Sequence, residues 1–285
     1  MKVKRGYVEI ATGQIHFRYA GLEERPIITL FHPSPGSSRQ LDLLISELAE
    51  SFFVYAPDTP GNGLSDPLPI KQPEISDYAQ AHLQALNEMN IKNTILFGTH
   101  TGASIAAALS QLPKNPSNMI ILDSVGLYDQ EEKAALLSSY APEKKPNSTG
   151  EHLLWTWNFV RDQWLFWPWH KQGKENRLER GLPDLSFLHG MSIDVLESLE
   201  TYHLSYNAAF RFDKEACFKA IDLPAIIAAD EEDMLFKYFP KLKDYIPNSK
   251  QLVHHGWQNM EDAKTTAKLF NEVVASMPMK SKLKT

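Results

Sequence analysis

Ile95-Leu96-Phe97-Gly98-Thr99-His100-Thr101-Gly102-Ala103-Ser104 is the stretch that decides how this chain folds. Its apolar start predicts a buried strand, and the alanine-rich continuation to Leu112, closed by Pro113, predicts a helix. Gly98 and Gly102 frame a turn tight enough for strand and helix to approach closely, with the residue between them projecting its side chain outward. That residue is His100, and its neighbours Thr99 and Thr101 are expected to point away from the space it enters.

Working outward, Tyr7 to Ile10 and Ile15 to Tyr19 read as short strands about the turn Thr12-Gly13, and Ile27 to Phe31 as a central buried strand. Leu41 to Ser51 and Ile75 to Met89 have helical apolar spacing, with the strand-like run Phe52 to Ala56 between them. Met119 to Leu122, Pro224 to Ala229 and Lys250 to His254 supply further strands, and Ala263 to Ser276 closes as an amphipathic helix. Alternating strand and helix predict an α/β fold around a mostly parallel sheet with helices on both faces. From Tyr128 to Phe212 strand signals fade, and five of the six tryptophans fall there, at 155, 157, 164, 167 and 169. The expected division is a core of residues 1–127 and 213–285 with an inserted helical cap at 128–212.

A composition of 43% hydrophobic and 22% charged residues is ordinary for a soluble globular protein, and a net charge of −6 removes the basic footprint of nucleic-acid binding. The lone Cys217 cannot form an internal disulfide or a thiolate metal centre. The first residues lack the apolar run of a signal peptide, and no stretch has the length of a membrane span, so a cytoplasmic location is the expectation. Lys280, Lys282 and Lys284 read as a solvated end without a function.

Four segments together resemble the α/β-hydrolase family over nearly the whole chain. Phe31-His32-Pro33-Ser34-Pro35-Gly36 is similar to its H-G-x-P-G loop, and Asp58 to Asp66 to its D-x-x-G-x-G-x-S-D segment. Gly98 to Gly102 is similar to its nucleophile elbow G-x-S-x-G, with histidine in the place of serine. The fourth is the ending, from Leu223-Pro224 through Asp230 and Asp233 to His254-His255-Gly256. The resemblance implies His100 at the nucleophile position, His255 as base with His254 as its alternative, and Asp233 as the orienting acid with Asp230 and Asp123 as alternatives. It further implies an oxyanion hole from the N–H groups of Ser34 and Thr101, with His32 bracing its loop at the edge of the substrate site. Asp58 and Asp66 are read as turn-fixing residues.

Imidazole at the elbow leaves three chemistries open. It can attack an acyl centre, which makes the chain a hydrolase of esters, thioesters or related acyl compounds. It can move protons with His255 in a lyase, a decarboxylase or another cofactor-free enzyme. Or it can fill the elbow of a pseudohydrolase that only binds a ligand. No cofactor is implied, and a metal site of two histidines and a carboxylate is the least favoured use. The tryptophan-rich cap predicts a hydrophobic or aromatic small-molecule substrate, with Trp164 and Trp167 lining its pocket. Arg161 and Arg211 are read as partners of surface salt bridges.

Overall fold

The computed structural model describes residues 1–280. The chain runs β1 (Lys4–Ile10), β2 (Gly13–Ala20), β3 (Ile27–Phe31), α1 (Asp42–Leu48), β4 (Phe53–Pro57), α2 (Ile75–Glu88), β5 (Thr94–Thr99), α3 (Thr101–Ser110) and β6 (Ser117–Asp123). Helices α4 (Gln130–Ser139), α5 (Glu151–Leu165), α6 (Leu185–Glu197), α7 (Tyr202–Arg211) and α8 (Lys214–Lys219) follow without a strand of the main sheet among them. The chain then returns through β7 (Ala225–Asp230), α9 (Phe239–Tyr245), β8 (Lys250–His254) and α10 (Met260–Ala275).

All eight strands form one sheet in the order β1, β2, β4, β3, β5, β6, β7, β8. The β1–β2 and β2–β4 pairs are antiparallel and the remaining pairs parallel, as the alternation of strands and helices predicts. The two faces follow from the two-residue period of a strand. Leu96, Ile120 and Ile227 join one core beside residues of α2, α3 and α9. Ile95, Phe97, Ile121 and Ile226 join the other beside residues of α1 and α10. A fully buried Leu or Ile of this kind contributes roughly 1.5–3 kcal/mol relative to exposure, and β5, β6 and β7 carry such residues on both faces.

The segment between β6 and β7 builds its own apolar clusters. Phe159, Val160, Leu188, Val195 and Tyr202 are buried together with Trp155 and Trp169 packed on them, so these tryptophans are core rather than pocket. The carboxyl end of α7 departs from that pattern, since Ala208 and Ala209 pack into the sheet core. Among the described residues no helix is long and apolar enough to cross a membrane. Lys280 pairs with Asp222 at 2.6 Å, and Lys282 and Lys284 lie outside the described residues.

Candidate active site

The turn from β5 into α3 holds His100 at φ 53° and ψ −113°, a backbone conformation that disfavours any residue with a side chain. The flanking glycines are required by distance. A Cβ on Gly98 would sit 2.1 Å from the Gly102 carbonyl oxygen, and one on Gly102 would sit 2.1 Å from the Phe31 carbonyl oxygen. The turn is also tied to the next strand, because His100 N–H donates to the Asp123 carbonyl at 3.1 Å.

His100 Nε2 lies 3.1 Å from Oδ2 of Asp233, which hangs on the loop after β7. Asp233 is fixed in turn by accepting the Leu235 N–H at 2.8 Å through Oδ1. Burial alone would pull His100 down, yet the charge and hydrogen bond of Asp233 outweigh it and hold the imidazole above its ordinary value. Burial likewise pushes Asp233 up, and His100, the Leu235 N–H and Arg180 outweigh it and hold the carboxyl low. With Nε2–H donating to Asp233, the remaining nitrogen, Nδ1, faces the Thr99 hydroxyl at 3.0 Å. Thr99 and Thr101 both line the pocket, and the Thr99 hydroxyl turns to His100, contrary to the expectation that it points away.

His254 and His255 part company completely. His254 is fully buried, with Nε2 2.7 Å from Oδ1 of Asp123 and Nδ1 accepting the Gly256 N–H at 2.9 Å. Burial opposes a charge on this ring while Asp123 and Asp230 favour one. The Gly256 N–H decides for the neutral ring, because it needs a lone pair on Nδ1. Trp257 stacks on it at 5.6 Å. His255, the expected base, is 55% exposed, 3.9 Å from Glu231, and is not brought to Asp233. Asp230 accepts the Glu232 N–H at 3.0 Å, and burial, with Asp233 and Asp123 nearby, raises its carboxyl.

Ser34 and Thr101 stand on the pocket wall, and among the described residues neither backbone N–H is bonded to the protein. The Ser34 hydroxyl is engaged with Ser205 at 3.0 Å, and Ser205 with Asn62. His32 is buried behind the loop and does not line the pocket, which corrects its assignment to the substrate site. Its Nδ1–H donates to the Pro33 carbonyl and its Nε2 accepts the Thr59 N–H, each at 2.8 Å, so both ring nitrogens brace backbone.

The cavity above these groups measures about 130 Å³. Trp164 and Trp167 line it together with Tyr128, Tyr140, Tyr206 and Phe210. Trp167 packs against Tyr140 at 5.2 Å, and the Arg180 guanidinium lies 4.4 Å over the Trp164 ring. Arg161 and Arg211 pair with Asp162 and Glu74 instead of entering it. Sequence reasoning missed Arg180, Lys214 and the three tyrosines, since each reaches the cavity through the packing of distant segments. Among the described residues no three His, Cys, Asp or Glu side chains converge as metal ligands.

Residues 26–258 match the family described as alpha/beta hydrolase fold. A curated relative, the 3-hydroxybutyrate-oligomer hydrolase of Cupriavidus necator, is 27% identical over 101 residues, or 35% of this chain. The match spans only 34% of that relative's length. Among solved structures, a putative lipase from Acinetobacter baumannii aligns with a TM-score of 0.74 at 15% identity, covering 96% of this chain and 91% of its own. The enol-lactonase of Burkholderia xenovorans aligns at 0.73 and 16% identity, covering 95% and 100%. Epoxide hydrolase A of Mycobacterium thermoresistibile aligns at 0.73 and 14%, covering 98% and 100%. At these identities the structures share the fold.

Proposed function

The chain belongs to the α/β-hydrolase fold family, and on that premise we propose an enzyme that hydrolyses an ester, thioester or related acyl compound with His100 as general base instead of nucleophile. The observation that carries this reading is the direct His100 to Asp233 contact beside a fully buried His254 whose two ring nitrogens are both engaged. A covalent relay needs a nucleophile, a base that touches it and an acid behind the base. Here the carboxylate touches the elbow residue itself, which supports a two-member acid–base device.

In the proposed step, neutral His100 accepts a proton from water at Nδ1, with the Thr99 hydroxyl placed to orient or relay it. The water oxygen bonds the acyl carbon, and the carbonyl oxygen takes up the negative charge opposite the Thr101 and Ser34 N–H groups. As the tetrahedral centre collapses, the bond to the leaving group breaks and that group takes the proton back from His100. Residues 128–212 act as a cap whose aromatic side chains select a hydrophobic or aromatic substrate. Hydrolysis is also the activity in the names of the Cupriavidus relative and the Burkholderia lactonase, which supports an acyl substrate. A cytoplasmic place, with a small molecule and not nucleic acid as partner, completes the proposal.

A second reading, proton transfer at carbon in a lyase or decarboxylase, is supported by the same His100–Asp233 pair, which can take a proton from carbon as well as from water. Turnover of aryl esters and thioesters by wild type, His100→Ala and Asp233→Asn, with mass spectrometry of quenched enzyme, separates the readings. Activity lost in both variants without an acyl adduct supports water activation, whereas an adduct on His100 overturns it. Inertness toward every ester together with His100-dependent exchange of substrate C–H in D2O moves the assignment to the second reading. Inertness in both assays leaves a ligand-binding pseudohydrolase.

A further inference from the structure

Apart from Lys214, each basic side chain named on the cavity wall faces a carboxylate. His100 pairs with Asp233, His254 pairs with Asp123, and Arg180 lies in the field of Asp233 and Asp230. Lys214, on the α7–α8 corner, is only 7% exposed, and among the described residues no carboxylate pairs with it. Its Nζ donates to the Ala209 carbonyl at 2.7 Å and lies 5.5 Å over the Tyr128 ring. An ammonium carries three donors, and a buried one without a counter-charge is unfavourable. We propose that Lys214 is an anion anchor of this pocket and pairs with a carboxylate carried by the ligand.

The groups facing Lys214 fit that role. Lys133 of α4 is a like charge that disfavours the ammonium, and Tyr128 offers only its ring. On its own segment, the Asp213 carboxylate caps α8 by accepting the Ala216 N–H, and Glu215 is exposed beside Tyr245. Burial, reinforced by Lys133, pulls the amine down to about 7. A bound carboxylate supplies the missing counter-charge, draws a proton onto the amine and restores its ordinary basicity. The cavity of about 130 Å³ is near the roughly 150 Å³ that holds a benzene-sized ligand, so the anion is expected on a molecule with one ring. Placing the acyl group of such a molecule at His100 rests on the proposed function. The anion site itself does not.

Titration calorimetry of the full chain with phenylacetate and its neutral isostere phenylacetamide, at about pH 8 in two buffers of different ionisation enthalpy, tests this without turnover. Wild type is expected to bind the acid at least about tenfold tighter than the amide and to take up close to one proton with the acid alone. Lys214→Met is expected to keep amide binding and lose both the preference and the proton uptake, with Lys214→Gln as a second variant; His100→Ala is expected to retain both. Equal binding of acid and amide by wild type, or a preference that survives in Lys214→Met, overturns the assignment. Loss of the proton uptake in His100→Ala instead would overturn it by moving the titrating group to His100. Because every arm reads binding, an inactive esterase would leave the result intact.

Discussion

His100 at the tip of the β5–α3 turn and Asp233 on the loop after β7 are in direct contact, 3.1 Å from Nε2 to Oδ2. The pair sets a pH dependence. A histidine held above its ordinary value keeps its proton to higher pH and becomes a base only as pH rises through its folded value. Acyl turnover is therefore expected to climb with pH above about 6.5, the unperturbed value. Asp233→Asn removes the charge and leaves burial to pull the ring down, so the rising limb should move to lower pH. Without the carboxylate that orients the ring and steadies the imidazolium, the plateau should fall on the order of 10²-fold or more. Paired pH–rate profiles check both shifts, and a limb that stays in place in the variant would break the link.

The two adjacent histidines should separate by the kind of damage they cause. His255→Ala alters an exposed side chain and is expected to change stability by no more than about 0.5 kcal/mol, with turnover unchanged. His254→Ala strips the buried Asp123 carboxylate of its hydrogen-bond donor, and leaving a buried charged group unsatisfied destabilises by about 3 kcal/mol or more. Urea unfolding of both variants measures this. Its sign would reverse if His255 were the residue holding Asp123.

What the sequence made legible follows from which interactions are local. Alternation along Ile95, Leu96 and Phe97 marks a strand buried on both faces, and Gly98 and Gly102 mark a turn that only glycines permit. Both are properties of a few neighbouring residues. The choice between His254 and His255 is not, because successive strand residues face opposite sides and a one-residue slip exchanges a buried ring for an exposed one. Lys214 was hidden by its setting, Asp213-Lys214-Glu215, which reads as a solvated charge run until α7 and Tyr128 close over the middle residue.

Gly102→Ala tests the turn apart from the chemistry. The added Cβ would meet the Phe31 carbonyl oxygen at 2.1 Å, and that oxygen belongs to β3, which is hydrogen-bonded into the sheet through β4 and β5. Neither side can yield without opening the centre of the fold. A loss above about 4 kcal/mol, or failure to accumulate folded protein, is expected. Thermal unfolding followed by circular dichroism measures it, and a shift of only a few degrees would mean that α3 can slide away from β3.

A buried histidine sets the acid stability of the fold. His82 of α2 is fully buried, packs 4.9 Å from the Phe31 ring, and among the described residues has no hydrogen-bond partner on either ring nitrogen. Burial, with His32 adding to it and Asp58 opposing it, pulls its value down to about 3 from 6.5. Between those values the unfolded chain binds a proton that the folded chain refuses, so folding stability falls as pH falls. The slope from this residue is about 1.4 kcal/mol per pH unit below 6.5. His82→Phe removes the titration and keeps a ring against Phe31. Wild type should therefore lose roughly 2–3 kcal/mol more than the variant between about pH 6.5 and 4.5 in urea unfolding, because the other acid-sensitive groups, Asp58 among them, are common to both. Parallel acid limbs would mean that His82 is reached by water in the folded protein, and that α2 opens over the sheet more readily than its packing implies.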